Sequence, residues 1–505
     1  MAQPLQSINL VAPGFKGVNT EDSPIAQDPS FADVADNAVI DKRGRIAARK
    51  GISVITTTKT ALGTDYLHRI HQFYDDAGNE EILSTGNNKI MKGTTTLTDI
   101  TPGSYSITAN NWKIVNFNDK AYFFQRGFDP LVYDNANGLR TFTTVNGGAT
   151  NATFKCNEVL AAFGRLFIVD NATDTQTIYW SDLLVGNDFS GGSSGSIDVT
   201  KVWPDGYDEV VALAAHNNNL VVFGEHSIIV YEGATSPASM TLADTVSGVG
   251  CVDRNSVQSI GTDVLFMSNS GLRSLGRAIQ EKALPISDLS LNVKTEIIEV
   301  IEAETEPLAS IYSPENSFYL ICFPSQSTIY CFDLKGRLEN GSYRTTRWTS
   351  VGHKSFERDK DGTLYIGTTD GLGKYDTFLD NAAVYRFRYF SPALSFGDPS
   401  RTKIVKKIRP TLIGANEETV FVKWAYDFDT SFTIYEISVG SQTPAFFGVS
   451  EYTVGTFTGG TLTTKPTVNA TGSGGVVTIG IEADIDGAQL SIQEINVLAL
   501  IGKTV

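Results

Sequence analysis

Hydrophobic and polar positions alternate with period two along most of the chain, in short runs bounded by Asn, Asp and Gly. That pattern predicts short β-strands joined by tight turns. One unit recurs. A turn leads into an apolar strand at Asn118 to Phe124, and the shape returns at Phe163 to Val169, Asn218 to Phe223, Gly261 to Phe266, Glu315 to Leu320 and Asp361 to Ile366, with a weaker first copy at Gly78 to Leu83. A second strand often follows and closes on Tyr and an acid, as in Leu131 to Asp134, Ile228 to Glu232 and Ile329 to Asp333. The centres of the leading strands are Leu83, Tyr122, Phe167, Val221, Leu265, Tyr319 and Tyr365, spaced 39 to 54 residues apart. A propeller blade takes roughly 40–50 residues. A four-stranded sheet of this kind cannot bury both faces alone, so it stacks on neighbours, and closing the ring leaves only short edges. The expectation is an all-β chain with a β-propeller of about seven blades, six being the alternative, over residues 61–382. Crowding at the axis favours apolar innermost strands, such as Leu166 to Val169 and Leu220 to Phe223.

Two segments break this rhythm with helical spacing. Asp28-Pro29 suits a helix start, and Phe31, Val34, Ala35, Ala38 and Val39 then fall on one face, so a short helix is expected within an N-terminal segment, residues 1–60. A turn at Asp41 to Gly44 and a basic stretch to Lys50 follow. Leu289, Val293, Ile297, Ile298 and Ile301 form a second apolar stripe, opposite Glu296, Glu299 and Glu302. That helix reads as a cap on the propeller, or more sharply as a contact between subunits. From residue 383 to 505 strong alternation returns, as in Tyr385 to Phe390 and Val420 to Tyr426, and predicts a separate β-sandwich or platform domain.

Composition agrees with this picture: 46 Gly and 10% aromatics suit many strands and turns. The net charge of −16 argues against a nucleic-acid-holding surface, which needs clustered cations. No run reaches the ~18 apolar residues of a membrane span, and Met1 to Phe15 lacks a signal-peptide pattern, so synthesis in a cytoplasm is expected. Cys322 and Cys331 flank an expected hairpin and are placed to face each other, whereas Cys156 and Cys251 stand alone. No Cys-x-x-Cys pair or Walker loop occurs, and the Gly/Ser tract from Gly191 to Ser196 reads as a flexible loop. His68 and His71 sit in an expected strand, on opposite faces, and the other histidines lie in separate units. Most Asp and Asn sit in turns such as Asp75 to Gly78 and Asp359 to Gly362, which explains them without catalysis. The reading is therefore of no catalytic, cofactor or metal site, and of a structural part rather than an enzyme.

The block from Ala35 to Gly51, with Asn37, the Gly44 turn and the Arg49-Lys50-Gly51 exit, resembles the opening of tail nozzle proteins of short-tailed bacteriophages, also called tail tubular B or stabilisation proteins. Lys50 stands where that family's pattern has Pro. Ser391 to Pro410 resembles the same proteins. The resemblance implies a virion protein made in the host cytoplasm: a homohexameric ring at the distal end of the tail. It would attach to tail adaptor proteins, border tail fibres or spikes, and close the channel until DNA is ejected. DNA would pass the lumen without specific binding, along an acidic wall. Asn37, Arg45, Arg49, Val293, Ile297 and Ile301 are then the candidate assembly residues. The rival readings are a cell-surface or carbohydrate-binding propeller, with Trp203 or Trp348 as exposed anchors, and, third, a propeller glycoside hydrolase.

Overall fold

The computed structural model describes residues 5–12, 14–142, 154–281, 288–349, 352–415, 417–440 and 463–504. Blade 1 comprises Arg69–Tyr74, Glu80–Gly86, Lys89–Lys92 and Thr98–Asp99. Blade 2 comprises Lys113–Phe117, Lys120–Phe124, Leu131–Asp134 and Gly138–Thr141, and blade 3 Glu158–Ala162, Arg165–Val169, Thr177–Trp180 and Gly195–Asp198. Blade 4 comprises Val210–His216, Asn219–Gly224, Ser227–Glu232 and Thr241–Ser247. Blade 5 has three strands, Gln258–Ser259, Val264–Ser268 and Gly271–Ser274, followed by helix α1, Leu275–Glu281. Ala309–Ser313, Phe318–Phe323, Thr328–Arg337 and Tyr343–Thr349 form blade 6. Blade 7 takes Ser355–Arg358, Leu364–Thr368 and Gly371–Lys374, and is completed by Ser53–Val54 from the N-terminal segment. Six blades are sheets of their own, and blade 6 is one end of a nine-stranded sheet.

Local chemistry explains the hairpins. Asn87-Asn88, Asn118-Asp119, Phe163-Gly164 and Asn217-Asn218 each carry two residues at positive φ. Such two-residue turns twist with the strands they join, and Asn, Asp and Gly tolerate them best. Each leading-strand centre read from the sequence falls in the second strand of a blade, one per blade. The rank of those strands is a correction. The strands that meet around the axis are the preceding ones, such as Lys113–Phe117, Glu158–Ala162 and Val210–His216. Arg165–Val169 and Asn219–Gly224 stand second, where both faces lie between neighbouring blades, and that is why they are the most apolar.

The predicted N-terminal helix is not there. Val34–Asp36 and Ala38–Ile40 are strands, and Asn37 between them has φ +52°. Val34–Asp36 bridges blade 6 to the C-terminal region, parallel to Tyr343–Thr349 and antiparallel to Tyr385–Phe390. The kink at Asn37 then carries the chain into a second sheet, where Ala38–Ile40 pairs with Ile46–Ala48 around the expected turn at Asp41 to Gly44. Backbone partners from two distant strands overrode a helical spacing that five apolar residues had suggested.

The C-terminal half of the nine-stranded sheet runs Tyr385–Phe390, Val477–Ile485, Thr419–Tyr426, Thr433–Ser438. Against it lies a seven-stranded sheet built on Arg401–Gly414 and Leu490–Thr504, to which Gln6–Leu10 also pairs. Phe387, Val422 and Ile481 from one sheet meet Ile408, Leu412 and Val497 from the other, which makes the expected sandwich. The second predicted helix is present as α2, Lys294–Ala303, with Ile297 buried and Glu299 and Glu302 exposed.

Candidate functional site

Arg49 is the most heavily partnered charge in the molecule's joint. Its guanidinium is fully buried and grips Asp380 with two bonds, at 2.9 and 2.5 Å. Its Nε donates to Asn37 Oδ1 at 3.1 Å, and Nη1 also donates to the Lys50 carbonyl at 2.9 Å. The Tyr385 ring lies 4.3 Å below the cation and the Trp348 ring 5.5 Å away. Asn37 in turn donates to the Arg386 carbonyl at 2.7 Å, and Trp348 Nε1 donates to the Ala38 carbonyl at 3.0 Å. The Tyr385 hydroxyl donates to the Arg49 carbonyl. Gly51 follows because a Cβ there would stand 2.1 Å from the Leu379 carbonyl oxygen. The Arg-x-Gly pattern thus welds the N-terminal segment, blade 6, blade 7 and the sandwich.

This placement changes the role of the sequence-picked residues. Asn37, Arg49, Val293 and Ile297 are buried within the chain and offer no surface to a partner. Ile301 is half-buried against the same core, and Arg45 pairs with Asp41 at 2.6 Å across its own turn. Trp203 and Trp348 are 4% and 0% exposed, so neither can anchor a surface ligand. Cys322 and Cys331 do not face each other: the register pairs Cys322 with Ile329 and Cys331 with Leu320, and all four cysteines are buried.

A polar cleft of about 240 Å³ runs among the innermost strands, lined by Arg69, His71, Lys113, Gln258, Ser310 and Glu357. Glu357 Oε1 lies 3.7 Å from His71 Nδ1 and accepts the Gln72 N–H at 3.1 Å. Burial pushes the Glu357 carboxyl up to about 8 and His71 down to about 4, so both favour their neutral forms. Beside them Glu158 is 1% exposed, 3.6 Å from Lys113 Nζ, with its pKa raised by burial. Arg69 bonds Asn111 Oδ1 at 2.6 Å, and Arg254 bonds the Asn111 carbonyl at 2.5 Å. The sequence reading missed this axial set. The available signal was charged residues inside the innermost strands, at Lys113, Glu158 and Glu357.

The histidines remain apart. His68 contacts Asp65 at 3.3 Å, and buried His353 packs on Trp348, held neutral by desolvation and by the Arg49 charge. Asp208, Glu225 and His226 bring ligand atoms within 4.8 Å of one another. The Asp208 carboxylate there is already a backbone clamp, accepting the N–H groups of Glu209, Glu225 and His226 at 2.9 Å each. A larger cleft, about 530 Å³, opens beside the joint. Ile40, Phe318, Phe378 and Ile413 form its apolar part and Lys42, Arg43 and Lys50 its cationic part.

No family model matches the chain, and no curated protein does either. Solved structures similar to it include a WD40 β-propeller domain. The computationally designed Ika8 protein is 12% identical over 65% of this chain and 99% of that chain, with a TM-score of 0.37. The WD40 β-propeller domain of Doa1 is 11% identical over 64% and 96%, with a TM-score of 0.37. The extracellular domain of the BT4673 hybrid two-component system from B. thetaiotaomicron is 12% identical over 85% and 60%, with a TM-score of 0.42, so this chain spans less than two thirds of that one. The likeness is one of fold alone, and the order of the chain's own sheets is what makes it a β-propeller joined to a sandwich.

Proposed function

We propose that this chain is a structural, non-enzymatic virion component: a subunit of the ring-shaped nozzle at the end of a short phage tail. The observation that carries the reading is the joint. The residues through which the sequence resembles nozzle proteins, Asn37 and Arg49 to Gly51, are those that lock the propeller to the sandwich. A buried ion pair at such a place is a device for holding one arrangement of parts. The acidic balance suits a channel along which DNA slides without sticking. The coarser conclusion, a propeller serving as a binding or scaffolding module, stands on the fold alone. Within it a carbohydrate-binding use is weakened by the burial of Trp203 and Trp348.

Electron microscopy of the purified chain and of the phage particle tests the proposal. A six-fold ring at the tail tip is expected. A protein that stays monomeric and never co-purifies with virions would sink it.

A further inference from the structure

We infer that successive copies of this chain join head to tail, an apolar knob on blade 3 of one copy entering the cleft beside the joint of the next. This rests on the ring reading above and names its interface. The knob is the tip after Thr177–Trp180, where Leu183, Leu184 and Val185 are 51, 59 and 37% exposed. Leu184 has φ +58°, a conformation that costs a leucine and would suit Asn or Gly. The tip is nevertheless held firmly. The Leu184 N–H donates to the Gly164 carbonyl at 2.9 Å, Asn118 Nδ2 donates to the Leu184 carbonyl at 3.0 Å, and Asp182 accepts the N–H of Leu183 at 2.8 Å. A rigid pair of exposed leucines, one of them strained, is a preorganised anchor for a partner.

The cleft supplies the matching chemistry. Its apolar part, Ile40, Phe318 and Phe378, takes the leucines. Lys42, Arg43 and Lys50 form no ion pair among the described residues. Next to the knob lies exposed Asp119, which accepts the Asp76 N–H at 2.9 Å, whereas Asp182 is already engaged by Arg165 at 4.0 Å and by Ser193. The two surfaces also lie in the right places. They belong to different blades, 3 and 6, so one copy can offer its knob to one neighbour and its cleft to another, which a head-to-tail contact requires.

Sedimentation velocity on the full chain tests the interface with two variants, Leu184→Asn and the pair Lys42→Glu with Arg43→Glu. The wild type should associate with rising concentration, and each variant should do so about tenfold more weakly or worse. Leu184→Asn should melt no lower than wild type, because Asn tolerates the left-handed position, so lost association cannot be put down to misfolding. Mixing the two variants should yield dimers and nothing larger, since one intact knob and one intact cleft remain. Association unchanged in both variants, or larger species in the mixture, would overturn this interface and leave the ring reading standing. A wild type monomeric at every concentration would also overturn it, and rings on intact tails would still uphold the proposed function.

Discussion

Replacing Arg49 by Met removes the charge at the joint while keeping much of the side chain's volume. Two groups are then stranded, the Asp380 carboxylate and the Lys50 carbonyl, while Asn37 Oδ1 keeps the Thr349 N–H at 3.1 Å. Removing one partner of a buried ion pair costs about 3–5 kcal/mol, and loss of the contact with Tyr385 adds about 1 kcal/mol. Asp380 is 18% exposed, so water relieves part of its burden and the lower half of that range applies. The expected loss is about 4 kcal/mol, with most of it due to the stranded carboxylate. A second substitution separates the causes. Asp380→Asn in the wild-type background should destabilise, but in the Arg49→Met background it should restore about 1–2 kcal/mol, because a neutral amide is cheaper to leave unpaired than a carboxylate. Urea unfolding followed by tryptophan fluorescence reads this well, since Trp348 lies beside the cation. Loss of less than about 1 kcal/mol in Arg49→Met, or further destabilisation by Asp380→Asn in that background, would refute the account of the joint.

Three further outcomes follow from the geometry. The Glu357 carboxyl ionises at about 8 in the folded chain against 4.5 when free, so its contribution is full below about pH 4.5 and is lost as the pH rises through 8; in urea unfolding Glu357→Gln should match wild type in stability at pH 4 and exceed it at pH 9 by about 2 kcal/mol, after allowing for solvent in the axial cleft. Gly51→Ala should cost about 2 kcal/mol or more in urea unfolding, because its Cβ would press on the Leu379 carbonyl, whereas Gly103→Ala, with open space around it, should be neutral or slightly stabilising. All four buried thiols should resist Ellman's reagent in the native protein and react only after unfolding, and a disulfide between Cys322 and Cys331 should not be found.

The ring of blades was legible because each repeat begins at a turn with its own chemistry. Asn118-Asp119 and Phe163-Gly164 mark hairpins that the backbone accepts only with residues tolerant of positive φ, or next to one. Strand rank within a blade was not legible, because a period of two looks the same in the first strand and the second. Asp28 to Val39 failed for a related reason: its apolar residues fit either period, and only the partners from Tyr385–Phe390 and Tyr343–Thr349 decide. The joint was half legible. Arg49 and Gly51 stood out as a pattern, but Asp380, 331 residues away, carries no local mark of its role. Trp203 and Trp348 misled because an aromatic in a polar stretch looks exposed until the blade behind it is known.

The N-terminal segment shows why these parts behave as one piece. Between Val34 and Val54 it gives a strand to the nine-stranded sheet, a hairpin to the opposite sheet of the sandwich and the outermost strand to blade 7. Propeller and sandwich are therefore joined by continuous backbone ladders and not merely by touching surfaces. Domains that only touch swivel by default. Here a swivel would have to break the pairing of Asp36 with Arg347, part Arg49 from Asp380 and uncover Trp348, so the angle between the parts is fixed by the fold. That fixed angle matters for any head-to-tail contact. Whether such contacts close into a ring or run on as a filament depends on the rotation between successive copies, and a rigid subunit sets that rotation once for every copy.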